Sequence, residues 1–429
     1  MKKFQFAVIA GFVLIAFFIV VALFATYKVP YEPKQRLLVL MIGGFRHDYV
    51  IRDQANLIGF PRLRVEGVRA EYLTPVFPSD SYPNWYTAAT GLYPESTGIF
   101  NRKFFNRTTK ELYIPKIEPV WTRAMRKGLN STVLYWDGCQ LDFLENKTSP
   151  GQAKKLGTLT CIPNKDDWDS NTIFRDFTRI LYSILDDFVK DRTSLAMVYY
   201  PIIDMVGHRF GPDSNETINA VRDIDLIIYN LLNQLDRRQL TRSANVYVLS
   251  DHGMSAPKHR ILLENYVNLH EVKIWIGDLY ARGKGTFGMI LPHNPNHTES
   301  IYHYLHAQEI EGLHVYKKED IPFGFHVKYS DKIGPIVIRA HPDYYIDATN
   351  YTETDTKTEG AIGFHGYFPH EFDDMNGIMY AVGPSFRRGF RGGPIEQVDH
   401  YQLFCHVMRI RAKPNNGSWV RVRDFIETY

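Results

Sequence analysis

Cysteine is scarce in this chain: three among 429 residues, too few for a disulfide-framed scaffold. An excess of one charge is also lacking. Lys and Arg number 50 against 47 Asp and Glu, a net +3, which gives no electrostatic case for nucleic-acid binding. Beyond Arg36 there is no repeat, low-complexity tract or linker. With 45% hydrophobic and 23% charged residues, disordered and collagen-like classes are excluded. What remains is one large α/β domain or two smaller ones. Aromatic residues are plentiful at 14%, which points to a broad core.

One long apolar run is present. Between Lys3 and Lys28, residues 4–27 carry no charge. As a helix they would reach about 36 Å, enough to cross about 30 Å of hydrocarbon. A cleaved signal peptide is the rival, but its apolar region is shorter and ends in small residues. This run ends in Phe24 and Tyr27, so an uncleaved anchor over residues 1–28 is expected, followed by a stalk at 29–36 and a folded body at 37–429. Asn106, Asn130, Asn146, Asn215, Asn296, Asn350 and Asn416 each stand in an N-x-S/T sequon. Together they favour a lumenal or extracellular body on a single-pass type II membrane protein. In that compartment Cys139 and Cys161 could pair, leaving Cys405 buried or joined to another chain.

Within the body, Leu37–Ile42, Thr132–Trp136, Leu195–Tyr200, Asn245–Leu249 and Ile378–Val382 read as short buried strands. Two helical stripes lie between them, one from Ile173 to Phe188 and one from Ile218 to Leu235. Interleaved strands and amphipathic helices predict an α/β fold, a mostly parallel sheet with helices on both faces. Residues 255–345 are less regular and read as an inserted cap. Such sheets place their chemistry past the carboxyl ends of the strands. There the sequence sets Gly43-Gly44-Phe45-Arg46, Asp204 with His208, and Asp251-His252.

Asp204 and His208 are four apart, which on a helix puts a carboxylate and an imidazole on one face. Both are metal-ligand types, although an Asp can equally cap a helix and a His can sit satisfied in a core. Asp251 and His252 end an apolar strand, where two adjacent ionisable groups are costly to bury unless paired or metal-bound. His365 lies between Gly363 and Gly366, residues that permit close backbone approach. Three such groups suggest a two-metal phosphoryl site. Ser81 is the candidate nucleophile and Asn84 a candidate donor to a phosphate oxygen. For each, a turn or cap role is the plain alternative. Trp85, Trp168 and Tyr199 adjoin these motifs and could stack a base, with core packing the better reading.

The chain reads G-G-F-R at 43–46, P-x-x-S-Y-P-N at 78–84 and T-G-L-Y-P-E-S-T-G-I at 90–99. D-x-x-G-H-x-x-G-P follows at 204–212, S-D-H-G-M at 250–254 and H-G-Y at 365–367, with E-F-x-D-M-x-G-I and G-P-S-F after them. In this order the motifs resemble the ectonucleotide pyrophosphatase/phosphodiesterase family of the alkaline phosphatase superfamily, in its catalytic-domain-only form. The resemblance implies an alkaline-phosphatase-like fold and two Zn2+ ions. Asp204, His208 and His365 would hold one. Asp251, His252, a first-strand Asp and the nucleophile oxygen would hold the other. It also implies a nucleotide or related phosphodiester as substrate.

Two positions depart from that pattern. Ser81 stands where the family usually has Thr, keeping the hydroxyl. Gly43 stands where the family has the first-strand Asp, so a ligand of the second zinc is missing. Asp48 and Asp80 are the nearby carboxylates that could substitute. The resemblance therefore implies a membrane-anchored, metal-dependent phosphodiesterase/pyrophosphatase impaired at Gly43. The alternative is an inactive surface protein that binds a phosphate ligand or a protein partner in the same pocket. A phosphomonoesterase or sulfatase relative is a third reading, and the sequence after Ser81 lacks the Arg that a sulfatase requires.

Overall fold

A computed structural model of the chain describes residues 34–427, apart from 101–104, 107–110, 113–116, 142–155, 165–167, 169, 277–282 and 349–361. Gln35–Tyr429 forms one compact unit. Its centre is an eight-stranded sheet of β1 (Arg36–Ile42), β2 (Val68–Arg69), β3 (Ser131–Leu134), β4 (Leu159–Ile162), β5 (Leu195–Tyr200), β6 (Ala244–Ser250), β7 (Met379–Val382) and β8 (Phe390–Arg391). Across the sheet the order is β8-β2-β7-β6-β1-β5-β3-β4. The five expected strands are all present. β1 pairs in parallel with β5 and β6, and β3 pairs in parallel with β4 and β5. β7 differs in direction: it runs antiparallel to both β6 and β2. An all-apolar strand shows that both faces are covered, not which way the strand runs.

β1 shows how the sheet is covered. Leu37, Val39 and Met41 join one core cluster, with Trp85, Ala88 and Ala89 of helix α1 (Ser81–Thr90). Leu38, Leu40 and Ile42 join the cluster on the other face. Its helices are α2 (Ser170–Val189) and, beyond α3 (Ile202–Phe210), the 23-residue α4 (Asn215–Arg237). Alternation along the strand thus puts helices on both faces, because successive side chains point to opposite sides. Ser214 caps α4 by accepting the Thr217 N–H at 3.1 Å.

Residues 255–345 are more regular than their sequence suggests. Val272–Ile276, Phe287–Pro292, Ile336–Ala340 and Leu313–Lys317 form an antiparallel sheet with its own core of Ile274, Ile290, Ile338 and Leu305. Phe287, Phe325 and Phe77 pack together, which brings this region against the segment leading into Ser81.

Cys139 and Cys161 form a disulfide, and Cys405 is buried as a free thiol. Burial pushes that thiol up to about 12, leaving it inert at neutral pH. Among the described residues no helix is long and apolar enough to cross a membrane. The expected anchor, the stalk up to residue 33, Asn146 and Asn350 lie outside the described residues. Asn215, Asn296 and Asn416 are exposed. Asn130 is half-buried, and its amide donates to the Arg192 carbonyl at 2.9 Å and accepts the Thr158 N–H at 3.0 Å. Asn106 lies on a two-residue strand.

Candidate active site

The carboxyl ends of β1, β5 and β6 meet at one edge of the sheet, and the residues that follow them converge there. Ser81 is the first residue of α1, whose cap is Asp80, accepting the Ser81 N–H at 2.7 Å. The nucleophile candidate therefore sits at a helix N-terminus, where free N–H groups and the helix dipole favour an anion. Its Oγ lies 3.1 Å from His252 Nε2. His252 Nδ1 donates to the Gly253 carbonyl at 2.8 Å, which turns Nε2 toward the Ser81 hydroxyl.

Asp204 and His208 share one face of α3, as their spacing predicts. His208 Nε2 is 3.5 Å from Asp204 Oδ1, His365 Nε2 is 3.7 Å from it, and the two Nε2 atoms are 3.1 Å apart. In tetrahedral geometry, ligand atoms about 2.0–2.1 Å from a zinc ion lie about 3.3–3.4 Å from one another. The triangle matches that size. His208 Nδ1 donates to the Gly363 carbonyl at 2.8 Å and His365 Nδ1 to the Ser79 carbonyl at 3.1 Å. With both Nδ1 atoms protonated, two Nε2 lone pairs face each other beside a carboxylate, an arrangement that a cation satisfies. Burial, then His252 and His208, hold His365 well below the ordinary histidine range, so it is neutral at pH 7. Asp204, His208 and His365 are all buried. Ligand atoms of Asp204, His252 and His365 lie within 4.8 Å of one another, so His252 borders the same cluster.

The loop carrying His365 is held close by its glycines. A Cβ at Gly363 would overlap the Gly207 carbonyl oxygen, while Gly363 N donates to the His208 carbonyl at 3.1 Å. Ser79 Oγ donates to the Tyr367 carbonyl at 2.7 Å. Together with His365 Nδ1 to Ser79, this makes two bonds between the nucleophile turn and the H-G-Y loop, segments separated by 288 positions at the Ser79–Tyr367 contact. Ser79 and Tyr367 lie within the quoted motifs, but nothing in local spacing pointed to their contact.

Asp251 is placed differently from Asp204. Its Oδ1 accepts the Gly44 N–H at 3.0 Å and the His252 N–H at 2.9 Å, and its Oδ2 accepts Trp85 Nε1–H at 2.9 Å. Trp85, 1% exposed, is thus a buried donor to this carboxylate. Tyr199 is buried beside it, ring centroids 4.3 Å apart, and Trp168 packs edge-on against Tyr135 at 4.6 Å. These contacts follow the packing alternative for all three aromatics.

Asn84 is fully buried. Its Oδ1 accepts the Val76 N–H and its Nδ2 donates to the Asp80 carbonyl, both at 2.8 Å. One amide hydrogen is committed to bracing the turn, so a phosphate contact would use the other. Of the substitutes for the missing ligand, Asp48 pairs with Arg46 at 2.7 Å and Arg52 at 2.6 Å, and Asp80 caps α1. The last residue of G-G-F-R, Arg46, is 2% exposed and ties Asp48, Asp213 and the Met254 carbonyl together behind the site.

A mostly parallel α/β sheet that carries an alcohol at a helix N-terminus beside a buried carboxylate–imidazole cluster defines a phosphoryl-transfer hydrolase. The family model for type I phosphodiesterase / nucleotide pyrophosphatase matches residues 37–368, and the chain belongs to the ectonucleotide pyrophosphatase/phosphodiesterase family, hydrolases of phosphoric diester and pyrophosphate bonds. It is 31% identical to an uncharacterized pyrophosphatase/phosphodiesterase of Schizosaccharomyces pombe, over 89% of this chain and 79% of that one. To mouse ectonucleotide pyrophosphatase/phosphodiesterase family member 7 it is 28% identical, over 91% and 87%. Among solved structures, an inactive variant of murine ectonucleotide pyrophosphatase/phosphodiesterase 5 in complex with AMP superposes with a TM-score of 0.76 at 27% identity, covering 92% of this chain and all (100%) of that one.

Proposed function

We propose that this chain is a membrane-anchored, extracellular or lumenal phosphodiesterase that uses Ser81 as nucleophile on nucleotide phosphodiesters, depends on a divalent metal, and turns over slowly because of Gly43. One observation carries the reading: Ser81 Oγ at the start of α1, 3.1 Å from His252 Nε2, beside the cluster of Asp204, His208 and His365.

Those three residues are the ones that would hold a zinc ion, which when bound supplies Lewis-acid stabilisation of phosphate oxygens. The N-terminal amides of α1 receive the phosphate, and Asn84 offers its remaining amide hydrogen to a non-bridging oxygen. His252 accepts the hydrogen bond of the Ser81 hydroxyl and fixes its direction. Ser81 Oγ then forms a bond to phosphorus as the bond to the leaving alcohol or phosphate breaks, the hydroxyl proton passing to His252 Nε2 and on to the leaving oxygen. Water cleaves the Ser81–phosphorus ester and restores the hydroxyl. AMP in the murine relative supports a nucleotide as the group held. The exposed sequons at Asn215, Asn296 and Asn416 support a glycosylated body outside the cytosol.

The test is hydrolysis of p-nitrophenyl-TMP by the purified chain with zinc present. Wild type is expected to show slow turnover, and Ser81→Ala to lower it by roughly 1000-fold or more. Equal rates for the two would remove the enzyme reading and leave the phosphate-binding alternative, read directly as retained AMP binding.

A further inference from the structure

Gly43 follows the last residue of β1 and lies on the same face as Met41, two positions earlier. The partner of Met41 across the parallel pair is Tyr199 on β5. Tyr199 is 3% exposed, and its ring lies against Trp85, which is itself backed by Tyr82 at 4.9 Å. A Cβ on residue 43 would overlap the Tyr199 hydroxyl oxygen and lie 2.9 Å from ring atoms Cε2 and Cζ. Ordinary contacts between such atoms are about 3.5–4.0 Å. The space in which any side chain of residue 43 would begin is occupied by the phenol. Gly43 and Tyr199 therefore fit each other, and glycine at 43 is more than a lost carboxylate.

The other members of the second ligand set are also engaged within the protein. Both oxygens of Asp251 accept hydrogen bonds from the protein, Oδ1 from two N–H groups and Oδ2 from the Trp85 indole. His252 borders the Asp204 and His365 cluster. Among the described residues, the ligand atoms that gather closely enough to hold a metal are those of the one cluster around Asp204 and His365.

We propose that Tyr199 and Gly43 together close the second metal position, so that the chain carries one divalent cation, at Asp204, His208 and His365. The proposal rests on the reading of that cluster as a metal centre. It has a consequence that the missing ligand alone does not: restoring Asp at position 43 cannot restore the site while Tyr199 is in place.

The experiment measures zinc per full-length chain by mass spectrometry, after loading and dialysis, together with the melting temperature. Wild type is expected to hold one ion. Gly43→Asp is expected to hold one and to melt roughly 5 °C lower, since overpacking a tight site destabilises it. The double variant Gly43→Asp/Tyr199→Ala is expected to hold two. Should Gly43→Asp fail to fold while the double variant folds with two ions, the same steric conflict is demonstrated. Two ions on the wild type overturn the proposal. So do two on Gly43→Asp, or one on a folded double variant. Zero ions on every form, or zinc retention untouched by Asp204→Ala, would instead remove the reading of the cluster itself.

Discussion

Two buried carboxylates end neighbouring segments at the same edge of the sheet, yet their surroundings differ. Asp204 faces two imidazole nitrogens at 3.5 and 3.7 Å, each ring oriented by a backbone carbonyl on its far side. Asp251 faces two main-chain N–H groups and an indole N–H at 2.9–3.0 Å. The first setting collects lone pairs around a point, which favours a cation. The second collects hydrogens around a carboxylate, which neutralises it without one. Residue type therefore does not separate a metal ligand from a structural anion; the neighbours do.

The sharpest way to break this contrast is at the first cluster. His208→Ala is expected to weaken zinc retention by more than about 100-fold, beyond the 10–100-fold typical of outer-shell changes, measured by competition with a chromophoric chelator. Unchanged retention would dissolve the distinction. Next comes stability without metal. Asp251→Ala leaves three buried donors unmatched at about 1–3 kcal/mol each. In urea unfolding of chelator-treated protein it should cost about 3 kcal/mol or more. Asp204→Ala should cost less under the same conditions, and equal losses would place both carboxylates in one class. Trp85→Phe removes one donor from Asp251 and should cost about 1–3 kcal/mol with zinc binding intact.

The smallest effect calibrates the others. His400 is a buried imidazole far along the chain from the cluster, bonded through Nδ1 to the Tyr247 hydroxyl at 2.7 Å. Burial alone lowers it to about 3. Its folded value lies below its unfolded value of about 6.5, so its contribution is fully present above that pH. It is lost as pH falls toward 3, at no more than about 1.4 kcal/mol per unit. Urea unfolding between pH 7 and 4.5 should show a shallower acid slope for His400→Phe than for wild type. An unchanged slope would mean that burial alone does not hold an imidazole neutral in this fold.

Much of this was legible in the sequence. Buried strands and amphipathic helices announce themselves by local periodicity, and Asp204 and His208 share a face because four residues make one helical turn. The glycines around His365 signalled close approach, and Gly363 against the Gly207 carbonyl delivers it. The direction of β7 was not legible, because apolarity reports burial rather than orientation. Nor was the order within residues 255–345, whose strands have half-exposed and polar positions.

The residues themselves determined which chemistry is available: an alcohol at a helix start, three histidines and two aspartates, and no carboxylate at position 43. Tertiary structure alone decided how that inventory is divided. It swings the Tyr199 phenol into the gap beside Gly43, turns Trp85 toward Asp251, and joins Ser79 to the His365 loop. Each of these contacts links segments more than a hundred residues apart, and close packing across such distances leaves no trace in the spacing along the chain.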